Sequence, residues 1–143
     1  MAPFLVYLSS TSYHWWNRSG YTWKSRLIKY IQKSTKSRPI NFIDPLIFKS
    51  EDPAVCPLDI KDINKSDFVV IYLNKITVGT MLELGYCIFQ RKYNWCIYTK
   101  DKKVLTHPWI VYLCKGHVYN NLEKIARLIV KVSKQDSKYK NNG

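Results

Sequence analysis

Apolar positions in this chain fall into short unbroken runs, separated by polar loops and by stretches of helical period. Phe4 to Leu8 is such a run and stops at Ser9-Ser10-Thr11, the pattern of a buried first strand followed by a polar loop. Trp23, Leu27, Tyr30 and Ile31 recur at helical spacing and predict a helix over about residues 21–34, with Lys24, Arg26 and Lys33 among its polar positions. Pro39 to Ile43 reads as a second strand ended by Asp44-Pro45, and residues 44–56 as a loop. Pro57 to Lys65 predicts a short helix with a first-turn proline and apolar Leu58, Ile60 and Ile63. Asp67 to Leu73 is almost continuously apolar, as a central parallel strand buried on both faces should be. Val78-Gly79-Thr80 opens a helix that runs to about Arg91, and Asn94 to Thr99 is another strand. Asp101-Lys102-Lys103 reads as a charged turn, Pro108 to Leu113 as a short helix, and His117 to Tyr119 as a last short strand. Leu122, Ile125, Ala126, Leu128, Ile129 and Val132 form the stripe of a closing amphipathic helix, with Asn120 or Asn121 as its N-cap.

Strand and helix alternate five times. This predicts an α/β doubly wound fold, a five-stranded parallel sheet with helices on both faces. Ligands in such sheets bind beyond the carboxyl ends of the strands. That directs attention to Tyr7–Thr11, to the segment before Asp67, and to Asn74–Glu83. The expected organisation is one domain over residues 1–134 and a basic, fraying tail over 135–143.

The chain has 143 residues, 46% of them hydrophobic and 15% aromatic, which excludes a disordered chain. No apolar run is long enough to span a bilayer, and no basic n-region precedes the first apolar run, so a cytoplasmic protein without a membrane partner is expected. Its 23 Lys and Arg outnumber 10 Asp and Glu, for a net charge of +13. Such an excess suits an anionic partner (nucleic acid, a phosphorylated metabolite, an acidic surface) or serves only solubility. Cys56, Cys87, Cys96 and Cys114 form no C-x-x-C pair, and no His stands at zinc-finger spacing. Buried, reduced thiols are expected, and no metal site.

The stretch that can carry chemistry is Thr77-Val78-Gly79-Thr80-Met81-Leu82-Glu83-Leu84-Gly85-Tyr86. Gly79 and Thr80 stand where a strand gives way to a helix, whose free N–H groups suit an anion. Glu83 is expected in the first helical turn, held ionised by the helix dipole. There it suits a nucleophile, or is simply a favourable first-turn charge. Gly85 is expected to let the helix pack closely on the sheet. Trp15, Trp16 and Trp23 lie in or after the first loop, as base-stacking residues or as packing, with packing favoured for Trp23. His14, Arg18 and His107 are phosphate contacts or solvated side chains. Asp67 reads as a structural residue at a strand start.

The Thr77–Tyr86 stretch resembles the (Asp or Ser)-x-Gly-x-x-x-Glu-Leu-Gly signature of the nucleoside 2-deoxyribosyltransferase superfamily. Asp59-Ile60-Lys61-Asp62-Ile63-Asn64-Lys65-Ser66-Asp67 resembles that superfamily's D-x-x-x-I-x-x-(S/A)-D segment, and Val6-Tyr7-Leu8-Ser9-Ser10 its first strand. Order and spacing agree across residues 4–99, and the last helix fits more loosely. The resemblance implies a Rossmann-like domain in which Glu83 attacks the anomeric carbon, Asp59 contacts the sugar and helps the base depart, and Tyr7 positions the nucleophile. No metal or organic cofactor is implied.

Within the superfamily, transferases carry Asp six residues before the nucleophile, where this chain has Thr77. The nucleoside 5′-monophosphate N-glycosidases carry Ser there, and that Ser and the Gly two residues on bind the 5′-phosphate. Thr77 and Gly79 match the hydroxyl-x-Gly pattern, and an Asp would repel a phosphate. Those glycosidases also borrow a serine from a neighbouring subunit. Val104-Leu105-Thr106 resembles that segment in a loop one residue shorter, so Thr106 is expected to complete the site across a homodimer. Ser9, Ser10 and Arg18 join the expected substrate and phosphate contacts, and Trp15 and Trp16 the base-stacking ones. The resemblance therefore implies a hydrolase of nucleoside 5′-monophosphates. The rival readings are a deoxyribosyltransferase that exchanges bases, and a non-catalytic module that binds nucleotides or nucleic acid.

Overall fold

A computed structural model describes residues 2–9, 19–34, 38–44, 55–74, 78–90 and 94–141. Five strands form one parallel sheet in the order β2-β1-β3-β4-β5: β1 Phe4–Ser9, β2 Ile40–Ile43, β3 Phe68–Tyr72, β4 Trp95–Tyr98 and β5 Val118–Tyr119. Six helices connect and flank them: α1 Ser19–Lys33, α2 Val55–Lys65, α3 Val78–Phe89, α4 Lys102–Leu105, α5 Pro108–Leu113 and α6 Leu122–Asn141. This is the α/β doubly wound architecture that the alternation predicts.

Each central strand alternates between two apolar layers because neighbouring side chains point to opposite faces. Phe4, Val6 and Leu8 of β1 pack with Phe68 and Val70 of β3 under α1 and α6, against Trp23, Leu27, Ile31, Ile125 and Ile129. Tyr7, Val69 and Ile71 pack on the other face with Ile63 of α2, Leu84 and Cys87 of α3, Val104 of α4 and Ile110 of α5. Strand order reverses direction at β1, since β2 lies on one side of it and β3 on the other. The crevice above the β1–β3 boundary is therefore the position at which this topology binds ligands.

Several local expectations differ from the structure. Asp101 is not in a bare turn: its carboxylate accepts from the Lys103 amide at 2.9 Å and caps α4. Val55 and Cys56 precede Pro57 in α2, so the proline is the third helical residue; it still lies in the first turn, where a missing N–H costs no bond. The closing helix does not end near Lys134 but continues to Asn141. Its cap is Asn121, whose Oδ1 accepts from the Lys124 amide. Asp67 is structural as expected: its carboxylate accepts from the Leu5 amide at 2.8 Å, and its own amide donates to the Leu5 carbonyl at 2.7 Å. Cys87, Cys96 and Cys114 are buried free thiols, and burial pushes the thiols of Cys96 and Cys114 up. No helix of the described residues is long and apolar enough to cross a membrane.

Candidate active site

Tyr7 and Ser9 stand two residues apart on β1 and so face the same side of the sheet, toward α3. Glu83 sits on α3 between Thr80 and Leu84, which bury that helix against the sheet. The two segments meet at the Glu83 carboxylate. Tyr7 donates its hydroxyl to Oε1 at 3.4 Å, and Ser9 donates its hydroxyl to Oε2. Each carboxylate oxygen thus has its own donor from β1. Tyr7 is fully buried, and burial with the nearby Glu83 and Asp59 carboxylates pushes its phenol far above the usual range. It remains an O–H donor at any ordinary pH.

Glu83 is the sixth residue of α3, one turn deeper than expected. The reason is that α3 starts at Val78, and the dipole's effect falls off within the first turn. Burial, not the dipole, dominates: it pushes the Glu83 carboxyl up, the Ser9 hydrogen bond opposes this, and Asp59 adds to it. The expectation of a carboxylate held ionised by its helix is corrected accordingly. Asp59 of α2 is itself pushed up by partial burial and then by the charge of Asp62. Two carboxyls of raised proton affinity therefore face one crevice, and environments of this kind recur where proton transfer and nucleophilic attack are done.

One group escapes sequence reading. Lys24 of α1 is only 3% exposed, its ammonium 2.6 Å from Asp44 Oδ1 just past β2. It lies 5.8 Å from the Trp23 ring centroid and interacts electrostatically with Glu83. Burial pulls its ammonium down, while Asp44 and Glu83 hold it up.

Other expected positions are less central. Gly79 is exposed as the second residue of α3, in the turn whose amides have no intrahelical acceptor. Thr106 is exposed at the C-cap of α4, and its hydroxyl donates to the Lys102 carbonyl at 2.7 Å. His107 caps α5 by accepting from the Trp109 amide at 3.3 Å. Trp23 is a core residue, packed 5.2 Å from Tyr72 and 6.1 Å from Tyr98 between ring centroids. Gly85 does not serve helix–sheet packing: an added Cβ would meet nothing within 4 Å, because Thr80, Leu84 and Cys87 form the inner face of α3. Ser10, His14, Trp15, Trp16, Arg18 and Thr77 lie outside the described residues. Among the described residues no group of three His, Cys, Asp or Glu side chains could hold a metal ion.

No protein-family model matches the chain, and a search of curated proteins finds no match.

Proposed function

We propose that the chain hydrolyses the N-glycosidic bond of a nucleoside 5′-monophosphate through a glutamyl-glycosyl intermediate. The observation that carries this reading is the Glu83 carboxylate, held between Tyr7 and Ser9 with Asp59 facing it above the β1–β3 boundary. One Glu83 oxygen attacks the anomeric carbon as the C–N bond breaks and its electron pair leaves with the base. Asp59, with its raised proton affinity, assists that departure. Water then opens the ester, restores the carboxylate and releases pentose 5-phosphate. The pairing of a nucleophilic carboxylate with a second carboxyl follows the logic of retaining glycosidases.

The phosphate is assigned to Thr77, Gly79 and the first amides of α3. An excess of positive charge across the chain favours anionic substrates by steering. Thr77→Asp weakens monophosphates more than unphosphorylated nucleosides if this assignment is right.

A homodimer belongs to the same reading. Val78, Leu82 and Phe89 are 76%, 68% and 74% exposed and form one stripe with Gly85 along α3. Antiparallel apposition of two such helices sets Leu82 over Gly85 and Val78 beside Phe89, which is the self-complementarity a two-fold interface needs. Exposed Trp109 and Tyr112 on α5 extend the apolar surface.

Incubation with the common ribo- and deoxyribonucleoside monophosphates, with and without a second free base, tests the reading. Base and pentose 5-phosphate released in equal amounts support it. A new nucleoside formed from the second base indicates a transferase instead, and binding to long duplexes without turnover indicates the non-catalytic alternative.

A further inference from the structure

Lysine is almost never fully buried unless it is paired, so Lys24 calls for an explanation. Its partner Asp44 directly follows Ile43, which pairs in register with Tyr7. Asp44 therefore lies at the level of Leu8, one residue before Ser9, and Ser9 is the residue that holds Glu83. The ion pair sits within one strand spacing of the Ser9–Glu83 contact, on the side of β1 away from β3. Asp59 and Asp62 of α2 and the Tyr7 phenol of β1 face the same crevice, and each of these is an acid. Lys24 is the cation among the groups that act on Glu83.

We propose that Lys24 is a positioning residue for Glu83: anchored by Asp44, its ammonium supplies the opposite charge that keeps the Glu83 carboxylate ionised between Tyr7 and Ser9. A purely architectural Lys24, tying α1 to the end of β2, would leave the titration of Glu83 untouched. The proposal concerns the unliganded chain and does not depend on the glycosidase reading.

The test is a carbon-13 NMR titration of the Glu83 side-chain carboxyl in the full chain, for wild type, Lys24→Met and Lys24→Arg. Loss of an opposite charge at this range raises the Glu83 midpoint by about one unit or more in Lys24→Met. Lys24→Arg, which keeps the charge, returns it to within a few tenths of a unit of wild type, roughly the scatter of a conservative change. Coupling between two titrating sites is reciprocal. A nitrogen-15 titration of the Lys24 ammonium in Glu83→Gln must therefore show its midpoint lowered by the same amount, and this arm leaves Lys24 in place should Lys24→Met fail to fold. A Glu83 midpoint unmoved in folded Lys24→Met, or a Lys24 midpoint unmoved in Glu83→Gln, overturns the proposal. Because no substrate is present, failure here leaves the glycosidase reading standing, and absence of turnover leaves the coupling standing.

Discussion

Ser9 at the end of β1 donates its hydroxyl to Glu83 on α3, joining two residues 74 positions apart in the chain. Tyr7 supports the other carboxylate oxygen from the same strand face. The site is thus assembled by the sheet rather than by a loop, and rigid elements hold side chains to better tolerance than loops do. Burying a carboxylate there has a cost that the chain bears for the sake of the site.

Stability should reveal that cost. Burial holds the proton of Glu83 to higher pH in the folded chain than in the unfolded one. Between the two midpoints folding takes up a proton, so stability falls as pH rises through that interval and stays lower above it. Glu83→Gln removes the effect. It raises Tm at neutral pH, by roughly 2–4 °C for each ~1 kcal/mol regained. The gain vanishes below about pH 4, where an ordinary glutamate is protonated in both states. Thermal melts of both proteins across pH 3–8 check this, alongside loss of turnover in the variant.

Ser9 and Asp59 push Glu83 in opposite directions. Ser9→Ala removes a hydrogen bond to the charged form and shifts the acid limb of kcat/KM to higher pH. Asp59→Asn removes a like charge and shifts it to lower pH. Each displacement is on the order of half a unit to one unit. Asp59→Asn also lowers kcat by about 10²-fold or more if it assists the leaving base. Shifts of the same sign in both variants would contradict the arrangement.

Asp67 serves the fold alone. Asp67→Ala leaves the Leu5 amide without its carboxylate and costs about 1–3 kcal/mol. Urea unfolding measures the loss, and turnover per folded molecule stays at the wild-type value.

Leu82→Glu places a charge in the exposed stripe of α3. Sedimentation at equal concentration then shows a monomer where wild type is a dimer, with the circular dichroism spectrum unchanged.

The fold is largely legible in the chain because its strong elements are locally encoded. Phe68 to Tyr72 is apolar throughout, as a strand covered on both faces must be. The stripe of α6 declares its buried face in the same way. Tyr7, Asp59 and Glu83 could be singled out because their segments carry a recognisable motif. Lys24 could not. It sits next to Trp23 at what periodicity reads as a polar position, and its burial is created by Asp44, 20 residues later and on another element. The rotation of α3 was equally hidden: only its seating on β3 shows that Thr80, Leu84 and Cys87 face inward and leave Gly85 unpacked. Glu83's raised proton affinity is a property of that seating too.

The central claim is that Glu83 becomes covalently linked to the sugar. Acid quench during steady turnover of a monophosphate that releases base, followed by peptide mass mapping, measures it directly. The account predicts a pentose 5-phosphate adduct on the peptide that contains Glu83, absent in Glu83→Gln. Base release with no adduct, an adduct on another residue, or turnover retained by Glu83→Gln would contradict it.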